Sequence, residues 1–136
     1  MSARAKARRR ALDILFEAEQ RDVSPLAAMR LRREATDITI NEYTVTLIEG
    51  VMGELDRIDE ILSSYSKGWT LERMPTVDRT ALRIGAWELL FNDDVPDSVA
   101  VAEAVSLVRE LSTDESPEFV NGLLGRIQQM KPTLLA

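Results

Sequence analysis

The 136-residue chain contains no cysteine and no histidine. Without cysteine there is no disulfide framework and no thiol nucleophile. Without histidine the commonest acid–base residue and the commonest metal ligand are both missing. Aromatic residues are scarce, at 5%, too few for a broad platform on which bases could stack. No apolar run reaches the roughly 18 residues of a membrane span. The basic N-terminus runs straight into Asp13, Glu17 and Glu19, where a secretion signal would continue with an uninterrupted apolar stretch. These absences predict a cytoplasmic protein with no disulfide and no membrane partner.

Several active-site patterns are missing too. The six glycines never form a phosphate-cradling loop. Asp56, Asp59 and Glu60 share one predicted helix and Asp93 and Asp94 one loop, and both groups read as solvated charge without metal-ligand spacing. Nothing pairs a nucleophile with a base. A non-enzymatic protein without metal or cofactor is expected.

What is present is a core. Hydrophobic residues make up 45% of a chain of one-domain length. The stretch Val77–Leu90 is apolar on nearly every side, which predicts a helix covered by neighbours around most of its surface. Glu88 is the odd member, about 20° from Val77 on an ideal wheel. It reads as a structural ion pair or hydrogen bond, with partner contact as the other role.

The remaining helices follow from periodicity. Ala3–Arg21 buries a stripe of Ala7, Ala11, Ile14, Leu15 and Ala18. Ser24-Pro25 opens a short helix to about Arg33, with Leu26, Ala27 and Met29 inward. Thr39 with Glu42 reads as a capping box, opening one long helix to about Ser64 with Gly50 and Gly53 inside it, where a neighbour would approach closely. Trp69, Leu71 and Met74 anchor a short turn, and Thr76 caps the central helix. Helices from Ser98 to Leu111 and from Pro117 to Met130 complete the chain, and Pro132 ends the last. No segment alternates like a strand. The prediction is all-α, with six or seven helices in two small packed bundles around the central apolar helix. The whole chain, 1–136, reads as one helical domain, and a change of texture near residues 66–76 suggests subdomains 1–66 and 67–136.

Charge gives the strongest functional signal. There are 23 acidic and 17 basic residues, for a net charge of −6, so the surface is not coated in positive charge. Yet the first ten residues carry Arg4, Lys6, Arg8, Arg9 and Arg10 and no acid. On a helix such a cluster can meet several phosphates of one strand, and arginine can also stack on a base. The other reading is a solvated basic tail. Phe119, about 100° from the buried seam at Val120, either covers a side cleft or serves as a stacking or partner residue.

Taken together, these residues resemble the NusB family of bacterial transcription antitermination proteins, in particular its actinobacterial members. Arg8-Arg9-Arg10-Ala11 with Leu15-Phe16 is similar to the family's arginine-rich opening. Ile48-Glu49-Gly50-Val51 with Asp56 and Asp59 is similar to its long-helix signature. The most specific segment runs from Val77-Asp78-Arg79 through Leu82-Arg83-Ile84 to Glu88-Leu89. Val95-Pro96, Ala100–Val105 and Phe119–Leu124 complete the match, which covers almost the whole length.

The resemblance implies a NusB-like fold and an RNA-binding transcription antitermination factor that is not an enzyme. Such a factor binds the single-stranded boxA element of ribosomal RNA leader transcripts and suppresses premature termination. Its partner would be NusE, a small-subunit ribosomal protein, with other Nus factors and RNA polymerase engaged indirectly. A homodimer can cover the RNA face in this family. The RNA role falls on Lys6, Arg8, Arg9 and Arg10, together with Arg4 of the same cluster, and on Phe119. Partner contact falls on Arg83, Trp87, Glu88 and Glu103. The alternative is a helical protein–protein adapter without direct RNA binding. Three departures bear on RNA affinity: Ala102 where asparagine is common, Asp97 where a basic residue is common, and Lys131 as the sole cation after the last predicted helix.

Overall fold

The computed structural model describes residues 2–35 and 39–136. Among them are seven α-helices, one short 3-10 turn and no strand. The chain forms two compact units, Met1–Gly53 and Glu54–Ala136.

The first unit holds α1 (Ala3–Arg21), α2 (Pro25–Ala35) and α3 (Glu42–Gly53). Ser2 caps α1, its hydroxyl accepting the Ala5 N–H at 3.0 Å. Asp22 ends the helix in the left-handed region at φ 54°, where a short polar side chain is tolerated. Ala7, Ala11, Leu12, Ile14, Leu15 and Ala18 are buried, as the stripe predicts. α3 packs on α1, and the buried Thr44 hydroxyl donates to the Ala7 carbonyl at 3.1 Å. α2 is tied to α1 by the Arg32–Glu17 ion pair.

Two expectations fail in this unit. Of the three α2 residues expected inward, only Met29 is buried; Leu26 and Ala27 are exposed. Leu26 stands about 60° round the helix from Met29, and α2 rests on one narrow stripe. The N-cap of α3 is Asn41, whose side-chain oxygen accepts the Tyr43 N–H at 2.7 Å. That displaces the Thr39–Glu42 capping box, because the helix starts at Glu42 itself.

The predicted long helix is two helices. Glu54, at φ −118° and ψ 19°, interrupts it, and α4 (Leu55–Tyr65) begins beyond. Gly53 does not admit a close neighbour, since a Cβ there would meet nothing within 4 Å. It lies at the break, where its poor helix propensity weakens the last turn of α3.

The second unit holds α4, the turn Leu71–Arg73, α5 (Thr76–Phe91), α6 (Asp97–Leu111) and α7 (Ser116–Leu134). α5 is its centre, packed against α4, α6 and α7, and eleven of its 16 residues are buried. Thr76 is its first residue rather than its cap, which is Pro75. Full burial of Leu82, Ile84, Leu89, Leu123, Leu124 and Ile127 contributes about 1.5–3 kcal/mol each relative to exposure. α7 runs past Met130 and through Pro132 to Leu134. A proline in the last turn removes one terminal hydrogen bond, and the Leu135 N–H still reaches the Lys131 carbonyl at 3.0 Å.

Candidate nucleic-acid interface

The basic cluster lies on regular helix from Ala3 onward, and the packing of α1 sorts its members. Arg4 and Arg8, one turn apart, both place their guanidinium groups over the Tyr43 ring of α3, at 4.8 and 5.8 Å from its centroid. Cations at this range are attracted to the face of the ring. Arg8 is only 3% exposed, so it is held inside while Arg4 stays at the surface. Arg9 turns toward Asp13, with Nε 3.6 Å from Oδ1. Lys6 and Arg10 share another side of α1 and line one cleft with Thr39, Ile40, Asn41 and Thr44. The five cations are thus divided between a ring, an acid and a cleft.

Phe119, in the second unit, is half-buried in the first turn of α7. The ring of Trp69 meets it edge-on, with centroids 4.9 Å apart and planes at 64°. Sequence reasoning took Trp69 as an anchor but missed this pairing, because the two aromatics are far apart in the chain and no local period links them. Trp69 also lines an open cleft with Ser63, Ser66, Thr70 and Arg73.

The four residues assigned to partner contact are placed differently. Arg83 grips Asp59 through two parallel bonds, Nε–Oδ1 and Nη2–Oδ2, each 2.9 Å. Trp87 is 8% exposed and Glu88 is wholly enclosed, so both belong to the core of the second unit. Glu103 is half-exposed on α6. A buried acid that sequence reasoning left aside, Asp78, accepts the Ser112 hydroxyl at 2.6 Å, and its second oxygen has no partner among the described residues.

The titration of the Glu17 carboxyl is displaced. Glu17 is held below the usual carboxylate range, first by its hydrogen bond from Arg32 and then by the charge of Arg32; burial opposes this, and the charge of Arg21 adds the least. Among the described residues no acidic cluster is placed to hold a metal ion, and no helix is long and apolar enough to cross a membrane.

Residues 5–129 match the NusB family. Transcription antitermination protein NusB of Arthrobacter sp. (strain FB24) is 66% identical over 136 residues, the full length of both chains. The protein of that name from Kineococcus radiotolerans is 57% identical, again over both full lengths. Among solved structures, T. maritima NusB superposes with a TM-score of 0.81 at 33% identity, covering 95% of this chain and 92% of that one. A crystal structure of antitermination factors NusB and NusE in complex with double-stranded RNA contains a chain that superposes with a TM-score of 0.80 at 26% identity, covering 94% of this chain and 98% of that one. Over its full length the chain belongs to the NusB family of transcription antitermination proteins.

Proposed function

We propose that this chain is an RNA-binding antitermination factor that binds boxA RNA of ribosomal leader transcripts together with NusE and so suppresses premature termination. The carrying observation is the basic N-terminal part of α1, where Lys6 and Arg10 line an open cleft and Arg4 stands exposed on another side of the helix, in a chain of net charge −6. The relative solved with NusE and RNA supports it. In this reading Arg4, Lys6, Arg9 and Arg10 meet phosphates, and Arg8 acts from beneath by holding Tyr43. Phe119 offers an aromatic face to a base, and Glu103 and the Arg83–Asp59 pair present the polar groups of the second unit to NusE. Residues 1–136 act as one cytoplasmic domain without catalysis or cofactor. Other Nus factors and RNA polymerase are engaged through NusE, and self-association would cover the RNA face.

The adapter reading has two observations in its favour: Arg8 is enclosed and Arg9 pairs with Asp13, so part of the cluster serves the fold. Salt dependence separates the two. Each phosphate neutralised on a single strand adds about 0.7 to the slope of log K against log salt. Three contacts give a slope of about −2, measured by fluorescence anisotropy on a boxA oligonucleotide with and without NusE. Replacing Lys6, Arg9 and Arg10 by alanine flattens the slope and weakens binding while melting is nearly unchanged. Wild-type affinity and slope in that variant would establish the adapter.

A further inference from the structure

The cleft on the first unit has a composition unlike the rest of this acidic protein. It encloses about 320 Å³ and is lined by Ala3, Lys6, Ala7, Arg10, Thr39, Ile40, Asn41 and Thr44. None of these carries a carboxylate, in a chain with 23 acidic residues. Its floor is closed and apolar: Ala7 is 2% and Ile40 5% exposed, and the Thr44–Ala7 hydrogen bond fixes α3 against α1 there. Its rim is polar and rich in donors. Lys6 and Arg10, four residues apart, project from the same side of α1, and neither has an ion pair among the described residues.

Asn41 adds a donor whose direction is set. Its Oδ1 is committed to the Tyr43 N–H, so its NH2 is the half left over for a ligand. The nearest acid of α3, Glu42, pairs with Arg33 at 3.5 Å. Two cations, an amide donor and the Thr39 hydroxyl around a shaped floor suit a compact oxyanion. A protein surface would need more apolar area.

We propose that this cleft seats one phosphate group of the bound RNA, with Lys6, Arg10 and the Asn41 amide as its ligands and Asn41 as a binding residue in its own right. This rests on the RNA-binding reading above and names how one phosphate is held. It differs from general charge attraction because Asn41 carries no charge, so its replacement tests position as well as field.

Asn41→Asp is the decisive variant. Aspartate caps a helix as well as asparagine does, so the Tyr43 bond and the fold survive, while a negative charge enters the cleft. Asn41→Ser keeps a capping oxygen without that charge. In the anisotropy assay Asn41→Asp is expected to bind the boxA oligonucleotide about tenfold more weakly, with the salt slope reduced by about 0.7, the share of one phosphate. Asn41→Ser, which keeps a capping oxygen but loses the amide donor, is expected to bind about threefold more weakly with the salt slope unchanged, and the melting of both variants stays near the wild-type value. In parallel, inorganic phosphate titrated into the wild-type protein shifts the amide resonances of Lys6, Arg10 and Asn41, and leaves them unmoved in Asn41→Asp.

If Asn41→Asp binds RNA as tightly as the wild type while the Lys6, Arg9 and Arg10 alanine variant does not, the cleft is not a phosphate seat and the RNA reading stands. If the wild type binds no RNA yet phosphate moves the cleft resonances, the RNA reading fails and the seat takes its phosphate from another ligand. Failure of both measurements overturns the proposal.

Discussion

The ammonium of Lys131 lies 2.7 Å from Oδ1 of Asp97, joining the end of α7 to the start of α6. Asp97 sits in the first turn of α6, where a carboxylate also complements the helix dipole. Both side chains are largely covered, at 23% and 34% exposure. Asp97 therefore has a structural partner in Lys131. Asp97→Lys is expected to lower stability by about 1 kcal/mol by facing one cation with another. Adding Lys131→Glu should recover most of the loss. A thermal melt of the two variants checks this; equal melting of Asp97→Lys and wild type would show the pair to be idle.

Gly85 marks a close approach of α5 to α6 and α7. A Cβ there would stand 2.9 Å from the Ala104 Cβ and 2.8 Å from a Leu124 methyl. Helix propensity alone favours Gly85→Ala by about 1 kcal/mol. Overpacking opposes it, and because the Ala104 Cβ is fixed to backbone it cannot swing aside. The net effect is expected to be destabilising by about 1–3 kcal/mol in chemical denaturation. Gly53→Ala, with open space around it, should be neutral or stabilising.

The Glu17 carboxyl ties α1 to α2 and titrates below its ordinary value of 4.5 because Arg32 bonds and faces it. A carboxyl with a depressed folded pKa adds stability above its unfolded pKa and loses it as pH falls through the folded value. The melting difference between wild type and Glu17→Gln should be constant near neutral pH and shrink below about pH 4.5. A difference that grew toward acid pH would show that the pair does not set this titration.

Phe119 and Trp69 should act as a unit. If Phe119 stacks on a base, Phe119→Ala costs about 1–3 kcal/mol of RNA binding. Trp69→Leu should lose part of that energy without touching RNA, by releasing the edge contact that fixes the Phe119 ring. A double-mutant cycle on RNA affinity measures the coupling, and additive losses would show that Trp69 only supports the fold.

The sequence by itself determined much of this protein. The three-and-four spacing of Ile14, Leu15 and Ala18, or of Leu123, Leu124 and Ile127, encodes a buried helical face without reference to anything distant, and those residues are buried. The all-round apolarity of Val77–Leu90 likewise required neighbours on most sides, and α5 has them. Family membership was legible for a similar reason: short motifs in a fixed order survive in one dimension.

The tertiary structure decided the rest. Periodicity runs unbroken through a single out-of-register residue, so the interruption at Glu54 was invisible. Leu26 is as apolar as Met29, and only the placement of α2 leaves one outside and the other buried. The pairing of Trp69 with Phe119, the meeting of Lys131 with Asp97, and the placing of Arg4 and Arg8 over Tyr43 join residues whose separation follows no local period. Local spacing fixes which face of a helix is greasy; which distant side chain that face meets depends on how the helices pack, and the chemistry of the interface is made there.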